Sequence, residues 1–175
     1  MIRALTNKAS PALAGALAAA GLLACPVAGA AAPIVAPAEF GVGSLAPVLI
    51  AHGVGAQVYE CKADRGGAPV WTFREPIATL TSDGKTIGRH YAGPSWSLDD
   101  GGTIHGKMLA SLPGGAPGDI PLLKLGVAAR SGAGVLKDVK LVLRLNTQGG
   151  SLSGPCASLG DLRAEPYAAD SIFLP

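Results

Sequence analysis

One short stretch concentrates the side chains that could do chemistry in this protein. Residues 89–107 read RHYAGPSWSLDDGGTIHGK and hold His90 and His105, two of the three histidines, together with the neighbouring carboxylates Asp99 and Asp100. Two imidazoles that converge can share a metal ion. Two carboxylates on opposite sides of a glycosidic bond can hydrolyse it. Both chemistries require the two histidines, or the two carboxylates, to lie at a suitable distance from each other, and the local structure sets that distance.

The same residues are also typical of a β-hairpin. Residues 99–102, Asp-Asp-Gly-Gly, are turn formers. A four-residue turn here places Trp96 opposite His105, so the hairpin predicts that these two rings stack. His90 and His105 then share a face of the sheet but lie six residue steps apart, about 20 Å at 3.3 Å per step. Metal ligands must each come within about 2 Å of the ion, so a plain hairpin does not let the two histidines share one.

We therefore predict no catalytic residue and no cofactor. The stretch is interpreted as a strand, a Gly-Pro break, a short strand, a turn and a return strand. Gly93-Pro94 could bend the chain back, which keeps His90 and His105 as candidate metal ligands. A metal-dependent enzyme in which these two histidines converge with His52 is one alternative function.

The leading hypothesis is a non-catalytic binding or envelope-associated module. Histidine and aromatic side chains offer rigid apolar area with a polar tip, which suits sugars and small aromatic molecules. The expected partner is a small molecule, a glycan or an envelope component. A structural envelope or matrix component is a further alternative. The candidate ligand-binding residues are His52, Tyr59, His90, Tyr91, Trp96 and His105.

The first thirty residues have the layout of a secretory signal peptide. Arg3 and Lys8 form a basic region, residues 11–24 are uncharged and rich in Ala, Leu and Gly, and Ala28-Gly29-Ala30 supplies small residues for cleavage. This layout predicts that the segment is removed and that the protein is periplasmic or extracellular. The chain has 14 Lys and Arg residues against 12 Asp and Glu residues. Without Arg3 and Lys8, the mature part carries 12 basic and 12 acidic residues. A neutral domain lacks the charge of a nucleic-acid binder, and we expect no nucleic-acid partner.

Two cysteines remain after the signal segment, Cys61 and Cys156. An exported chain with two cysteines predicts one disulfide. Free thiols that bind metal are the alternative, although the sequence has no CxxC or CxxH spacing. Cys25 follows Leu22-Leu23-Ala24 and resembles a bacterial lipobox. Lipidation at Cys25 would anchor the protein in the envelope, and only then do we expect contact with a membrane.

Short β-rich segments bounded by Gly, Pro and Asp dominate the rest of the chain. Residues 31–46 are predicted as an extended N-terminal arm and residues 47–175 as a single β-rich domain. The fold class is therefore all-β, an antiparallel β-sandwich or barrel-like domain. Within residues 139–145 the odd positions are apolar, which predicts that they face the core while Lys140 and Arg144 face water.

Several blocks in this order resemble one known family. The chain is similar to exported bacterial and fungal proteins that carry the domain of unknown function 3455. The resemblance covers residues 38–174 and implies export, a single β-rich domain and pairing of Cys61 with Cys156. It implies no activity and no catalytic residues. The matching blocks are residues 52–61 (HGVGAQVYEC), 71–73 (WTF), 88–96 (GRHYAGPSW), 120–122 (IPL), 144–150 (RLNTQGG) and 166–170 (PYAAD).

Overall fold

A computed structural model describes residues 35–175, so the predicted signal segment, residues 1–30, and Cys25 lie outside the described residues. Residues 35–175 form eight strands and two short 3-10 helices, Ala38–Phe40 and Val135–Asp138. The strands are β1 (Leu49–Ala63), β2 (Pro69–Ser82), β3 (Lys85–Tyr91), β4 (Ser95–Leu98), β5 (Thr103–Leu112), β6 (Leu122–Ser131), β7 (Leu141–Gly149) and β8 (Leu162–Leu174).

The eight strands close into one antiparallel barrel. Each strand pairs with the next along the chain, and β8 returns to pair with β1 from Leu49 to Glu60. Closure satisfies the backbone hydrogen bonds that an open sheet leaves free at its edges. The predicted all-β class is confirmed, and the architecture is the barrel rather than the sandwich.

Strand β1 shows how alternation sets the inner and outer walls. Ala51 and Gln57 are buried and face the interior, whereas His52 is exposed on the outer wall. Gly55 lies where β1 and β2 approach closely, because a Cβ atom there would stand only 2.0 Å from the carbonyl oxygen of Ile77. Only glycine permits this approach of the two backbones.

The two ends of the barrel differ in chemistry. At the helix end, the 3-10 helix Val135–Asp138 inserts Leu136 into the main apolar core. At the opposite end, which we call the disulfide end, Cys61 of β1 is bonded to Cys156 in the segment before β8. The predicted disulfide is thereby confirmed. Apolar side chains fill the interior near the helix end, among them Leu80, Trp96, Ile104, Leu125, Val142 and Phe173.

Strand β7 corrects the orientation predicted from its alternating sequence. Val142 pairs with Phe173 and lies in the interior core. Arg144, two residues further along, pairs with Ser171 and therefore lies on the same inner face. The prediction that Arg144 faces water together with Lys140 is wrong, because this arginine faces the barrel interior.

The reason for the error is that both faces of β7 are covered. Leu143 and Ile172 are cross-strand partners on the outer wall, yet each is buried. Lys124, the partner of Leu143 on β6, donates from Nζ to the carbonyl oxygen of Phe40 at 2.5 Å, and Phe40 is itself buried. The described part of the N-terminal arm thus lies beside this part of the outer wall at Phe40.

The hairpin of residues 89–107 has the predicted segments but a different register. Strand β3 ends before Gly93-Pro94, β4 is short, and β5 returns after a turn. Ser95, rather than Trp96, pairs with His105. The predicted placement of Trp96 opposite His105 is therefore wrong.

The turn itself accounts for the shifted register. The N–H of Leu98 donates to the carbonyl oxygen of Gly102 at 2.9 Å, which leaves a loop of three residues instead of four. Gly101 closes this loop with a φ of 91°, a conformation that favours glycine. A shift of one residue moves every side chain of the return strand to the other face, and His105 consequently points outward.

Among the described residues, no helix has both the length and the apolar character needed to cross a membrane. A disulfide fits an exported or otherwise non-cytoplasmic protein, because such bonds persist in oxidising compartments.

Candidate ligand site in the barrel

The six residues nominated by the sequence do not form one site. Tyr59, His90 and Trp96 are buried and face the barrel interior. His52, Tyr91 and His105 lie on the outer wall, on β1, β3 and β5 respectively. The candidates are thus divided between the interior and two separate parts of the surface.

His90 is stacked on Trp96 inside the barrel. The ring centroids lie 4.6 Å apart with an interplanar angle of 18°. The Nδ1–H of His90 donates to the carbonyl oxygen of Ser95 at 2.8 Å. Burial, with a smaller contribution from the positive charge of Arg144, lowers the pKa of His90 to about 4. The imidazole is therefore neutral at physiological pH.

His105 is fixed from outside by the same serine. The Ser95 hydroxyl donates to the carbonyl oxygen of Ala92 at 2.6 Å and contacts Nδ1 of His105 at 2.8 Å. A hydroxyl has a single hydrogen, so His105 must be the donor in the second bond and carries its proton on Nδ1. This arrangement orients the ring and leaves Nε2 unprotonated in the neutral form.

Tyr91 belongs to a chain of hydroxyl groups on the outer wall. Its OH lies 3.0 Å from Oγ of Ser97, which lies 2.8 Å from Oγ1 of Thr103. The guanidinium of Arg89 stands 5.3 Å from the centre of the Tyr91 ring, within the range of a cation–π contact. These side chains satisfy one another across β3, β4 and β5.

The three histidines do not converge. His52 donates from Nδ1 to Oδ1 of Asp170 at 2.8 Å, and Asn146 donates to the other carboxylate oxygen at 2.7 Å. His52 lies on β1 and His105 on β5, which stand on opposite sides of the barrel, while His90 points inward. Within residues 35–175 no three His, Cys, Asp or Glu side chains are grouped so that they could hold a metal ion. His52, His90 and His105 are therefore not arranged to share a metal ion, as the metal-dependent alternative requires.

Of the two carboxylates of the turn, Asp100 has backbone partners. Asp100 accepts from the N–H of Gly102 at 3.0 Å and from the N–H of Val135 at 2.8 Å. The first bond closes the turn and the second fixes the start of the 3-10 helix at the helix end. This carboxylate thus joins two loops.

Arg144 is the functional candidate that sequence reasoning missed. Its Nε and Nη2 atoms donate to the carbonyl oxygen of Pro121 at 3.0 and 2.7 Å, which directs the guanidinium toward the disulfide end. None of the ion pairs formed within residues 35–175 involves Arg144. Burial lowers the pKa of Arg144 to about 10, so it remains positively charged at neutral pH.

Two buried polar atoms, on β1 and β7, have no partner at hydrogen-bond distance, although the Gln57 side chain lies close enough to Tyr167 to lower the pKa of that phenol. Gln57 is 2% exposed and its Nε2 is unpaired, and Thr147 is 6% exposed and its Oγ1 is unpaired. Leaving a buried polar group unsatisfied costs about 1–3 kcal/mol. A native fold usually satisfies such groups, so two on one inner wall call for an explanation.

Two tyrosines complete the arrangement. Tyr59 donates from its OH to the carbonyl oxygen of Gly150 at 2.8 Å, and Tyr167 packs so tightly that a Cβ at Gly150 would lie 2.7 Å from its own Cβ. Burial raises the pKa of Tyr59, and it raises the pKa of Tyr167 to about 12 although the charge of Arg144 and the Gln57 side chain oppose the shift. Both phenols are neutral hydrogen-bonding groups. We call Gln57, Tyr59, Arg144, Thr147 and Tyr167 the interior polar cluster.

The family comparison bears on this cluster. The model of the family described as "Protein of unknown function (DUF3455)" matches residues 43–86 and 81–175. The chain belongs to this family. The searches of curated proteins and of solved structures found no significant match to the DUF3455 chain.

A signal for the cluster is present in the DUF3455 sequence. All five of its members lie in blocks that carry the family resemblance, two at residues 52–61, two at residues 144–150 and one at residues 166–170. The charge of Arg144 concealed its inward direction, because an arginine between leucines in a strand usually marks the water-facing side.

Two open grooves lie elsewhere on the DUF3455 barrel. One, of about 230 Å³, is mainly apolar and lies at the helix end beside Leu98 and Val135. The other, of about 340 Å³, follows the outer wall and is lined by Arg89, Ser97 and Asp99 among others. The first combines apolar side chains with Thr86, Asp99 and Asp100, whereas the second presents charged side chains to solvent.

Proposed function

We propose that this DUF3455 protein is an exported, non-catalytic binding module that holds a small polar ligand at the interior polar cluster. It acts in the periplasm or outside the cell, or at the envelope if Cys25 is lipidated. An eight-stranded barrel is just wide enough to hold one small ligand where its side chains do not fill the interior.

The observation that carries the proposal is the pair of unsatisfied atoms beside an unpaired charge. Gln57 Nε2 and Thr147 Oγ1 are buried without partners, and Arg144 has no carboxylate among the ion pairs of the described residues. A bound ligand supplies the missing partners. Binding sites commonly sacrifice stability in this way, since their polar groups are completed only in the complex.

The proposal is non-catalytic because the titratable groups around the cluster are poorly suited to proton transfer. His90 has its pKa lowered to about 4 and Tyr167 has its pKa raised to about 12. General acid–base catalysis works best with a pKa near the operating pH. The groups of the interior polar cluster can therefore bind a ligand by hydrogen bonds and charge.

A stability measurement tests whether the unsatisfied atoms are a functional cost. Thr147→Val removes an unpaired hydroxyl, so we expect the ligand-free protein to keep or gain stability, by up to about 1 kcal/mol. Thr103→Val is the matched control, because its hydroxyl is bonded to Ser97 at 2.8 Å and its loss should cost about 0.5–1.5 kcal/mol. Urea unfolding compares the two. A loss at Thr147 as large as that at Thr103 would show that the Thr147 hydroxyl already has a partner in the free protein.

Binding itself is tested with four small probes: acetate, acetamide, glycerol and inorganic phosphate. The side-chain amide of Gln57 is followed by ¹H–¹⁵N NMR, because it reports on the interior directly. Each probe is titrated to about 0.1 M, since a ligand of about four to six heavy atoms gains at most about 1.5 kcal/mol per atom. A saturable shift of the Gln57 amide by at least one probe supports the proposal, and the absence of any such shift refutes it.

A glycan or an envelope component is the second candidate partner, and it is favoured by the outer groove. Arg89, Ser97 and Asp99 line this groove, and the exposed Arg89 also contacts the Tyr91 ring. Charged and hydroxyl groups beside an aromatic ring suit sugar hydroxyls. Saturation-transfer NMR with a soluble envelope oligosaccharide should give a signal that Arg89→Ala abolishes. A signal unchanged by that substitution would place the contact elsewhere.

A further inference from the structure

We infer that the interior polar cluster selects a ligand with a single carboxylate, which pairs with the guanidinium of Arg144. This inference rests on the proposed function and adds the chemical class of the ligand. It follows from the charge of the interior, from the balance of donors and acceptors, and from the partners of the nearby acidic residues.

The interior charge is positive and uncompensated. Arg144 is ionised, whereas the other titratable groups that sense its charge are Tyr59, Tyr167 and His90, all of which are neutral near pH 7. A charge in a partly dehydrated site is costly without a partner of opposite sign. A ligand with one negative charge therefore gains more here than a neutral ligand of the same shape.

The unsatisfied groups lack acceptors more than donors. Nε2 of Gln57 can only donate and has no acceptor at hydrogen-bond distance, and Nη1 of Arg144, which is not fully buried, makes no hydrogen bond to protein within residues 35–175. Thr147 Oγ1 can donate or accept. A carboxylate offers two acceptor oxygens in one plane and matches the fork of a guanidinium, whereas an amide brings donors of its own.

Nearby carboxylates of the protein are already engaged. Glu165, which pairs with Gln57 across β1 and β8, forms an ion pair with Arg163 at 2.5 Å. Asp170 points to the outer wall and binds His52. The charge of Arg144 is thus left for a molecule that comes from outside the chain.

The test compares acetate with acetamide, which has the same shape and no charge. Chemical shifts of the Gln57 side-chain amide and of the Arg144 Nε–H are followed in the full mature protein with its disulfide intact. We expect acetate to bind at least about tenfold more tightly than acetamide, because hydrogen bonds to charged groups are the stronger ones. Inorganic phosphate should bind more weakly than acetate, because a second charge has no partner in the interior.

Variants separate a binding role of Arg144 from a structural one. Arg144→Gln should abolish the acetate-induced shift of Gln57, and Arg144→Lys, which keeps the charge but not the fork, should retain weakened binding. Arg130→Gln is the matched control, since Arg130 likewise donates to backbone carbonyl oxygens, those of Lys137 and Val139, at the helix end. It should leave acetate binding unchanged.

The outcomes distinguish the two proposals. Equal binding of acetate and acetamide would overturn the carboxylate assignment and leave the proposed interior site standing. Stronger binding of phosphate than of acetate would also overturn it. A shift of the Gln57 amide that survives Arg144→Gln in a folded protein would show that Arg144 does not hold the ligand. No response to any probe would remove the site itself.

Discussion

Protonation of His90 should make the barrel unstable in mild acid. The ring is 7% exposed, stacked on Trp96, and hydrogen-bonded through Nδ1 to the Ser95 carbonyl oxygen. Its pKa is lowered from 6.5 to about 4, mainly by burial. The folded state therefore resists protonation over a pH range in which the unfolded chain accepts it readily.

The sign and the size of the effect follow from proton linkage. Above about pH 6.5 the imidazole is neutral in both states and the free energy of unfolding is insensitive to it. As the pH falls toward 4, the unfolded state gains a proton that the folded state does not, and stability decreases. The difference between pKa values of 6.5 and about 4 corresponds to a loss of about 2 kcal/mol by pH 5 and about 3 kcal/mol by pH 4.

The assay is urea unfolding at pH 7, 6, 5 and 4 for the parent protein and for His90→Phe, with the disulfide intact. Phenylalanine keeps a flat ring over Trp96 but cannot be protonated, and subtracting the two curves removes the contribution of the carboxylates. We expect the stability difference between parent and variant to shift by about 3 kcal/mol in favour of the variant from pH 7 to pH 4. A His90 difference that does not change with pH would refute the interpretation of this ring as a buried neutral base.

Three further substitutions or treatments test the fold. Gly55→Ala should destabilise the barrel by about 1–3 kcal/mol or more in thermal unfolding, because the added Cβ would lie 2.0 Å from the Ile77 carbonyl oxygen. Gly53→Ala is the control: its Cβ would meet the nearest atoms at 3.5 Å, so the substitution should cost under about 1 kcal/mol. Equal losses would mean that strand approach is not what Gly55 provides. Asp100→Ala removes two hydrogen bonds to backbone amides and should cost about 1–3 kcal/mol in urea, with Asp99→Ala near neutral. Reducing the disulfide, whose cysteines are 95 residues apart, should lower the free energy of unfolding by roughly 4–5 kcal/mol, and a loss under about 1 kcal/mol would show that the barrel does not depend on the bridge.

Fold class was accessible from the sequence because it depends on many residues at once. Alternating apolar positions and frequent Gly, Pro and Asp residues predict short antiparallel strands, and two cysteines outside the predicted signal segment predict their bond. The break at Gly93-Pro94 was likewise visible, since proline cannot continue a strand interior without losing a hydrogen bond.

The strand register and the direction of individual side chains could not be predicted from the sequence, because each depends on a single local detail. Whether the turn after Leu98 has three or four residues decides whether His105 points inward or outward, and both lengths suit the sequence Asp-Asp-Gly-Gly. The sequence predicts that Arg144 faces water because its neighbours Leu143 and Leu145 are apolar. In the structure, those leucines lie on the outer wall of the barrel and are nevertheless buried.

The pairing of β8 with β1 has a consequence for how the chain acquires its structure. Every other strand pairing joins neighbours in sequence, which can form as local hairpins, but this one brings Leu49 to Phe173. Contacts between such distant residues are slow to form because the intervening chain must first lose much of its freedom. Until β8 docks, β1 and β7 each expose a long row of unpaired backbone groups to other chains. Ring closure is then the step at which a newly made molecule stops being prone to aggregation, and a chain truncated before β8 would never reach it.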